Sequence, residues 1–262
     1  MFDTHCHLFE NEFTDITKII WQARDAGVKY FLLPGLNIKT SKNAVEIASD
    51  FENVYAAVGI HPTEKLDMLD FSSIKLRLSE LINQNEKIKA VGETGLDYYK
   101  YESSPNLQKE LFKMHINLSL TFDLPIIIHN RMASNDIIEI LENFWSASFE
   151  KSVILHSCPS EEMLLDFAIK RKVFISVAGD ITYDKQKQNF IKRVPLELLI
   201  VETDSPLQVP EPLRSQKVKP NYPENLNLIV NKIAEIKNVD KEKIITSTTS
   251  NAKFILDIDE NN

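Results

Sequence analysis

Apolar residues in this chain gather into short runs that alternate with longer stretches of helical spacing. The runs begin near Phe2, Val28, Val54, Ala90, Pro125, Ser152, Val173 and Leu198, and each is short enough to be a strand buried on both faces. Amphipathic stretches at 16–26, 40–50, 74–83, 105–122, 134–144, 161–171 and 186–192 separate them, and two more, 223–237 and 241–255, follow the last run. Strands that alternate with helices in this way predict parallel pairing through helical crossovers. Eight such units in 262 residues have the size and count of a closed (β/α)8 TIM barrel, an α/β fold. No linker, repeat or low-complexity tract divides the chain, so residues 1–262 read as one domain. An open doubly wound sheet fits less well, because the six glycines form no G-x-G-x-x-G, and neither a P-loop nor a G-x-S-x-G elbow is present.

The longest apolar runs, such as Tyr30 to Leu33 and Pro125 to Ile128, are strand-sized, and Asp3 stands where a signal peptide needs a basic start. Cys6 and Cys158 have no C-x-x-C spacing, so reduced thiols, a cytoplasmic location and no membrane contact are expected. Thirty basic against 38 acidic residues leave a net charge of −8, which argues against an extended duplex-binding face. An enzyme that holds only a strand end can still bring positive charge locally, through bound metal ions and a few Arg or Lys side chains.

The ionisable residues are not scattered. Barrel enzymes build their sites at the C-terminal ends of the strands, and five of the six histidines fall there. His5 and His7 end the first strand, His61 follows the third, His129 ends the fifth and His156 the sixth. Glu93 ends the fourth strand and Asp204 the eighth. In Asp3-Thr4-His5-Cys6-His7 the two-residue period of a strand sends both imidazoles to one side and Cys6 to the other. Four imidazoles and two carboxylates exceed what one tetrahedral ion uses, which suggests two divalent ions bridged by a carboxylate. Mixed N and O donors suit zinc, manganese or iron, and magnesium less well by softness alone; zinc, manganese and magnesium stay open.

The motifs D-T-H-C-H at 3–7, G-I-H-P at 59–62, G-E-T-G-L-D-Y at 92–98, I-H-N-R at 128–131 and E-T-D-S-P at 202–206 span nearly the whole chain. Together they resemble the TatD family of metal-dependent deoxyribonucleases, within the amidohydrolase superfamily. The resemblance implies a barrel in which His5, His7 and Asp204 hold one ion, His129 and His156 hold the other, and Glu93 bridges them. It implies removal of nucleotides from DNA ends, with single-stranded DNA or strand ends as partner and no protein partner. It also suggests a second-shell or phosphate-contacting role for His61, whose His-Pro turn can equally be structural, and a general-base role for Asp204 beside its place as a ligand.

Three departures flank the site. The family pattern H-x-F-S-G reads His156-Ser157-Cys158-Pro159-Ser160 here, R-N-E-P becomes Lys219-Pro220-Asn221-Tyr222-Pro223, and Met132 stands where an acid often follows the arginine. These changes bear on substrate choice more than on hydrolysis.

Three further features concern substrate. Arg131 follows His129 by two residues, so its guanidinium emerges on the same side and can grip a phosphate. Tyr98, Tyr99 and Tyr101 beside Lys100 offer either a stacking platform for a base or packing under a loop. Arg214, Lys217 and Lys219 form a basic run near the rim, by default a solvated loop. His115, inside the 105–122 helix, reads as a packed or surface histidine, and Cys158 as no ligand.

The expected reaction is phosphodiester hydrolysis by a hydroxide bridging two ions, with Glu93 and Asp204 as the catalytic carboxylates. The rival chemistry keeps the metals and changes the bond, to the ester of an aminoacyl-tRNA or to a small-molecule amide or lactone. A third possibility, a catalytically silent binding module, draws only on the altered loop after His156.

Overall fold

The structure, a computed structural model, describes residues 1–9, 12–68, 70–100, 103–146, 149–150 and 152–259. Eight parallel strands pair in sequence order: β1 (Phe2–Asp3), β2 (Tyr30–Pro34), β3 (Val54–Val58), β4 (Ile88–Asp97), β5 (Ile126–Arg131), β6 (Val153–Leu155), β7 (Phe174–Val177) and β8 (Leu199–Val201). The seam between the last strand and the first is drawn together by Thr4 N–H to Val201 O at 3.1 Å and His7 N–H to Ser205 O at 2.7 Å. The expected TIM barrel is therefore the observed fold.

Helices α1 (Ile16–Asp25), α2 (Ile38–Asp50), α3 (Phe71–Gln84), α4 (Pro105–Phe122), α5 (Ser134–Phe144), α6 (Glu162–Arg171) and α7 (Lys185–Arg193) fill the crossovers, and α8 (Leu226–Lys237) and α9 (Lys241–Ile255) complete the chain. Their starts are written in the sequence. Asp15, Asn37, Asp70, Ser104, Asp184 and Asp240 each accept a backbone N–H from the first turn of α1, α2, α3, α4, α7 and α9, contacts typically worth about 1 kcal/mol apiece. The segment expected to open α8 at Pro223 is instead a short 3-10 turn, Pro223–Asn225.

Strand alternation divides the core. Leu32, Ile127, Ile154, Phe174 and Ile200 point into the barrel with Phe2 and Tyr55, and the end of α9 closes its base with Ile255 and Leu256. The alternate residues Phe31, Leu33, Ile126, Ile128, Val153, Leu155, Ile175, Leu199 and Val201 face the helices. Followed upward, the inward register of β5 and β6 places His129 and His156 over the barrel mouth.

The candidate ligands of the first and fourth strands depart from that simple pattern. Ala90 faces inward and Val91 outward, so regular alternation would turn Glu93 out. The β4/β5 register shifts between Val91 and Thr94, with Gly92 at φ +143°, and Glu93 swings in. The first strand also ends earlier than expected, at Asp3. The H-x-H segment lies just beyond it and meets its neighbours through an isolated parallel bridge from Cys6 to Ser205 and through Cys6 N–H to Leu32 O of β2 at 3.1 Å.

A candidate dinuclear metal centre

Asp3 ties the first segment to the last. Its buried carboxylate accepts Thr203 N–H at 2.8 Å and the Thr203 hydroxyl at 2.6 Å, and Asp204 N–H donates to His5 O at 2.9 Å. The expected division of faces is seen within the H-x-H segment. His5 Nε2 and His7 Nε2 stand 3.1 Å apart, while Cys6 is buried in the outer core.

Glu93 sits between two groups of imidazoles. Its Oε2 faces His5 Nε2 at 3.3 Å and His7 Nε2 at 3.7 Å. Its Oε1 faces His129 Nδ1 at 3.0 Å, His61 Nε2 at 3.4 Å and His156 Nε2 at 3.7 Å. Asp204 Oδ1 approaches His7 Nε2 at 3.6 Å and both His5 and His156 Nε2 at 4.0 Å. The structure thus brings together all six residues read from the sequence as metal ligands, and it adds His61 to them.

Most of these imidazoles are fixed from behind. His156 Nδ1 stands 2.9 Å from Glu202 Oε1 in a charge contact without hydrogen-bond geometry, while His7 Nδ1 pairs with Pro34 O at 3.0 Å, His129 Nε2 with Asp97 Oδ2 at 3.0 Å and His61 Nδ1 with the Thr63 hydroxyl at 2.6 Å. A nitrogen held in this way leaves the other ring nitrogen aimed into the site, an arrangement typical of metal-binding histidines. Asp97 and Glu202, which stand behind His129 and His156, are not picked out by the sequence pattern. The signal was present, since both lie inside motifs quoted for their neighbours, four residues after Glu93 and two before Asp204.

The electrostatics follow from burial and crowding. Burial alone would raise Glu93, but His61, His156 and His5, with the hydrogen bond to His129, hold its carboxyl well below the usual range. Burial would raise Asp204 too, and its bond to His7 with the charges of His156 and His5 brings it down. Desolvation lowers His5 and His61, which keeps those imidazoles neutral; His61 Nδ1 accepts Thr63 N–H at 3.2 Å, so its ring proton lies on Nε2, toward Glu93. His5 Nδ1 is buried without a hydrogen-bond partner among the described residues. His7, His129 and His156 go the other way: burial opposes it, but the carboxylates beside them raise all three, His156 to about 10. A divalent cation takes ionised carboxylates and neutral imidazoles, so its binding there would displace those protons. Three overlapping groups converge within 4.8 Å: His5, His7 and Asp204; His5, Glu93 and His156; and His61, Glu93 and His129.

Around this centre the departures acquire shapes. Ser157 N–H donates to Glu202 Oε1 at 2.7 Å, and the Ser157 hydroxyl and Asp204 Oδ2 both accept from the Gln208 amide, at 2.5 and 3.2 Å. Cys158 is buried away from the cluster, and the ammonium of Lys187, itself buried, braces this turn by bonding Cys158 O and Asp180. Asn221, retained from the family pattern, donates to Thr203 O at 2.9 Å and pins the long loop after β8.

The aromatic residues after β4 divide in role. Tyr98 packs against the core and donates its hydroxyl to Asp136 at 2.5 Å, so its polar end is already occupied. Tyr99 is the exposed ring, and the Arg131 guanidinium stacks on it at 3.9 Å. Tyr101 lies outside the described residues. His115 is fully buried inside α4, away from the cluster.

A family profile described as "TatD related DNase" matches residues 2–257. The chain belongs to that family. Among its TatD-family relatives, an uncharacterized metal-dependent hydrolase, YabD, of Bacillus subtilis is 32% identical over 98% of this chain and 99% of its own length. Another, MG009 of Mycoplasma genitalium, is 33% identical over 96% of this chain and 97% of its own. Among solved structures, the TatD homologue YJJV of Escherichia coli superposes with a TM-score of 0.90 at 23% identity, covering 99% of this chain and 98% of that one.

Proposed function

We propose that this TatD-family chain is a metal-dependent hydrolase of phosphodiester bonds, a deoxyribonuclease acting on single strands or strand ends, with two divalent ions as cofactors. The observation that carries this reading is the division of labour in Glu93, whose two oxygens face two separate groups of imidazoles. His5, His7 and Asp204 would hold one ion and His129 and His156 the other, with Glu93 shared between them. Divalent ions there supply Lewis-acid stabilisation for charge on phosphoryl oxygens and acidify water.

The protein's own groups do the rest. Asp204 presents Oδ1 to the imidazoles, holds Oδ2 against the Gln208 amide and lines the cleft, where its carboxylate would accept the proton of the attacking water. Arg131 borders the cleft that also contains His129, His156 and Asp204. Its guanidinium has one face on Tyr99 and no ion pair among the described residues, so its N–H edges are free to hold a phosphate bidentately. Asp97 keeps His129 in the tautomer that leaves a lone pair toward the centre, and the Glu202 carboxylate lies beside His156 Nδ1 at 2.9 Å. No helix among the described residues is long and apolar enough to cross a membrane, and a cytoplasmic location is part of the proposal.

The test uses oligonucleotides labelled at either end, incubated with metal-stripped protein plus magnesium, manganese or zinc. Product ladders are expected with at least one metal, and Asp204→Asn is expected to reduce turnover by about 100-fold or more. A variant within a few fold of the parent would remove Asp204 from the chemistry. Hydrolysis of aminoacyl esters, amides or lactones with no nucleotide release would overturn the nuclease reading.

A further inference from the structure

The cleft over the metal cluster does not end at Asp204. A cavity of about 630 Å³ contains Arg131, His129, His156 and Asp204 and reaches Leu207 and Gln208. A second cavity, of about 530 Å³, begins at the same two residues and continues to Tyr183, Arg214 and Lys219. Leu207 and Gln208 are therefore a sill between two compartments.

The far compartment repeats the chemistry of the near one. The Arg214 guanidinium lies over the Tyr183 ring at 4.1 Å, as Arg131 lies over Tyr99 at 3.9 Å. Stacking covers one face of each guanidinium and restrains it, leaving the planar N–H edges for an acceptor. Lys219 has no ion pair among the described residues and lies two residues before Asn221, whose amide is anchored to Thr203 O at 2.9 Å. Two acids also border this compartment. Glu12 lines it, and Glu211 Oε1 stands 3.7 Å from Arg214. That pair is long and solvent-exposed, which makes it weak, and the Glu211 carboxylate is already engaged by Ser215 N–H at 3.1 Å. Leu207, 60% exposed on the sill, offers an apolar shelf between the two cationic stacks.

We propose that the compartment formed by Tyr183, Arg214 and Lys219 is a second phosphate subsite, which holds a backbone phosphate of a polynucleotide strand lying across the Leu207–Gln208 sill from the bond being cut. The proposal rests on the nuclease reading and deepens it. The substrate is a strand with a phosphate in each compartment, not a mononucleotide or small ester. Arg131 and Arg214 grip the strand at two points, so affinity grows with length until both are filled and depends on salt through released counterions.

The experiment measures binding of a fluorescein-labelled twelve-residue oligothymidylate by anisotropy, with metal-stripped protein in chelator across a salt series. It also measures kcat/KM for that strand and for bis(p-nitrophenyl) phosphate with metal restored. For the double variant Arg214→Gln/Lys219→Gln, strand affinity is expected to fall about 10-fold or more at low salt, and the log–log salt slope by roughly 1 to 1.5. The ratio of kcat/KM for strand over small diester is expected to fall with it. Arg214→Lys, which keeps the charge and loses the planar stack, is expected to lie between parent and double variant. Lys113→Gln, on the exposed side of α4, removes a charge elsewhere and is expected to bind as the parent does. If the parent binds and degrades the strand while the double variant matches it in affinity, slope and ratio, the subsite is refuted and the nuclease reading stands. If the parent neither binds nor degrades the strand, both are refuted.

Discussion

Asp97 Oδ2 lies 3.0 Å from His129 Nε2, on the side of the ring opposite Glu93. Asp97 Oδ1 meanwhile accepts the N–H groups of Tyr99 and Lys100 at 2.9 and 2.7 Å. One carboxylate therefore shapes the loop and sets the His129 tautomer. Asp97→Asn separates these tasks, because the amide oxygen can keep the backbone bonds while the NH2 faces a ring nitrogen that must then carry no proton. The proton moves to Nδ1, toward Glu93, where a metal needs a lone pair. Metal affinity is expected to fall about 10- to 100-fold with the thermal midpoint nearly unchanged. Competition with a chromogenic chelator measures the first and circular dichroism the second; parent-like affinity would show that Asp97 only shapes the loop.

Gly95 of β4 pairs with His129 of β5. Its φ is +141°, and an added Cβ would lie 2.0 Å from His129 O. Gly95→Ala must strain the backbone and push β5 outward at the residue that carries a ligand. A stability loss on the order of 3 kcal/mol is expected in urea unfolding, together with weaker metal binding. A variant with parent-like stability would mean that the two strands can separate freely here.

The barrel was legible because its signal is repeated eight times, and small errors at each boundary do not accumulate. β2 was expected at Val28 and begins at Tyr30, yet its partners and its inward residue Leu32 are unaffected. The gathering of His5, His7, Glu93, His129, His156 and Asp204 was legible because rim position is a property of sequence once strands are placed. How Glu93 turns inward was not legible, since regular alternation would send it out and only the shift at Gly92 corrects it. His61 joined the cluster through a loop whose path no periodicity encodes. Tyr98 and Tyr99 are adjacent and chemically alike, and only the position of Asp136 on α5, 38 residues on, decides which ring is tied down.

Gln208 is a residue that no motif singled out. Its amide donates to Asp204 Oδ2 at 3.2 Å and to the Ser157 hydroxyl at 2.5 Å, so it fixes the plane of a carboxylate that also faces three imidazoles. Gln208→Leu removes the donor at similar size, and Gln208→Glu sets a second carboxylate against the first. Metal affinity is expected to rank Gln, then Leu, then Glu, because loss of orientation is milder than repulsion between like charges. Isothermal titration with manganese or zinc orders the three. Equal affinities in all of them would show that the metal ligands alone orient Asp204.

His115 makes a prediction about pH that is independent of the metal cluster. It is fully buried in α4, donates from Nδ1 to Leu111 O at 2.9 Å and accepts Ile60 N–H on Nε2 at 3.1 Å. Burial lowers its pKa to about 4, since protonation would place a charge in the core and set two donors against each other. An unfolded chain titrates this ring near 6.5. Above that pH neither state binds the proton, so His115 makes folding independent of pH. Below it the unfolded state takes up a proton the folded state refuses, and stability falls until the pH nears 4. Between pH 7.5 and 5 the loss is about 2 kcal/mol. His115→Gln can still accept from Ile60 without titrating, so its stability, though lower at pH 7.5, should fall less steeply by about that amount. Urea unfolding of both proteins at the two pH values gives the difference, in which every other titrating group cancels; parallel losses would mean that His115 is not the group that charges on unfolding.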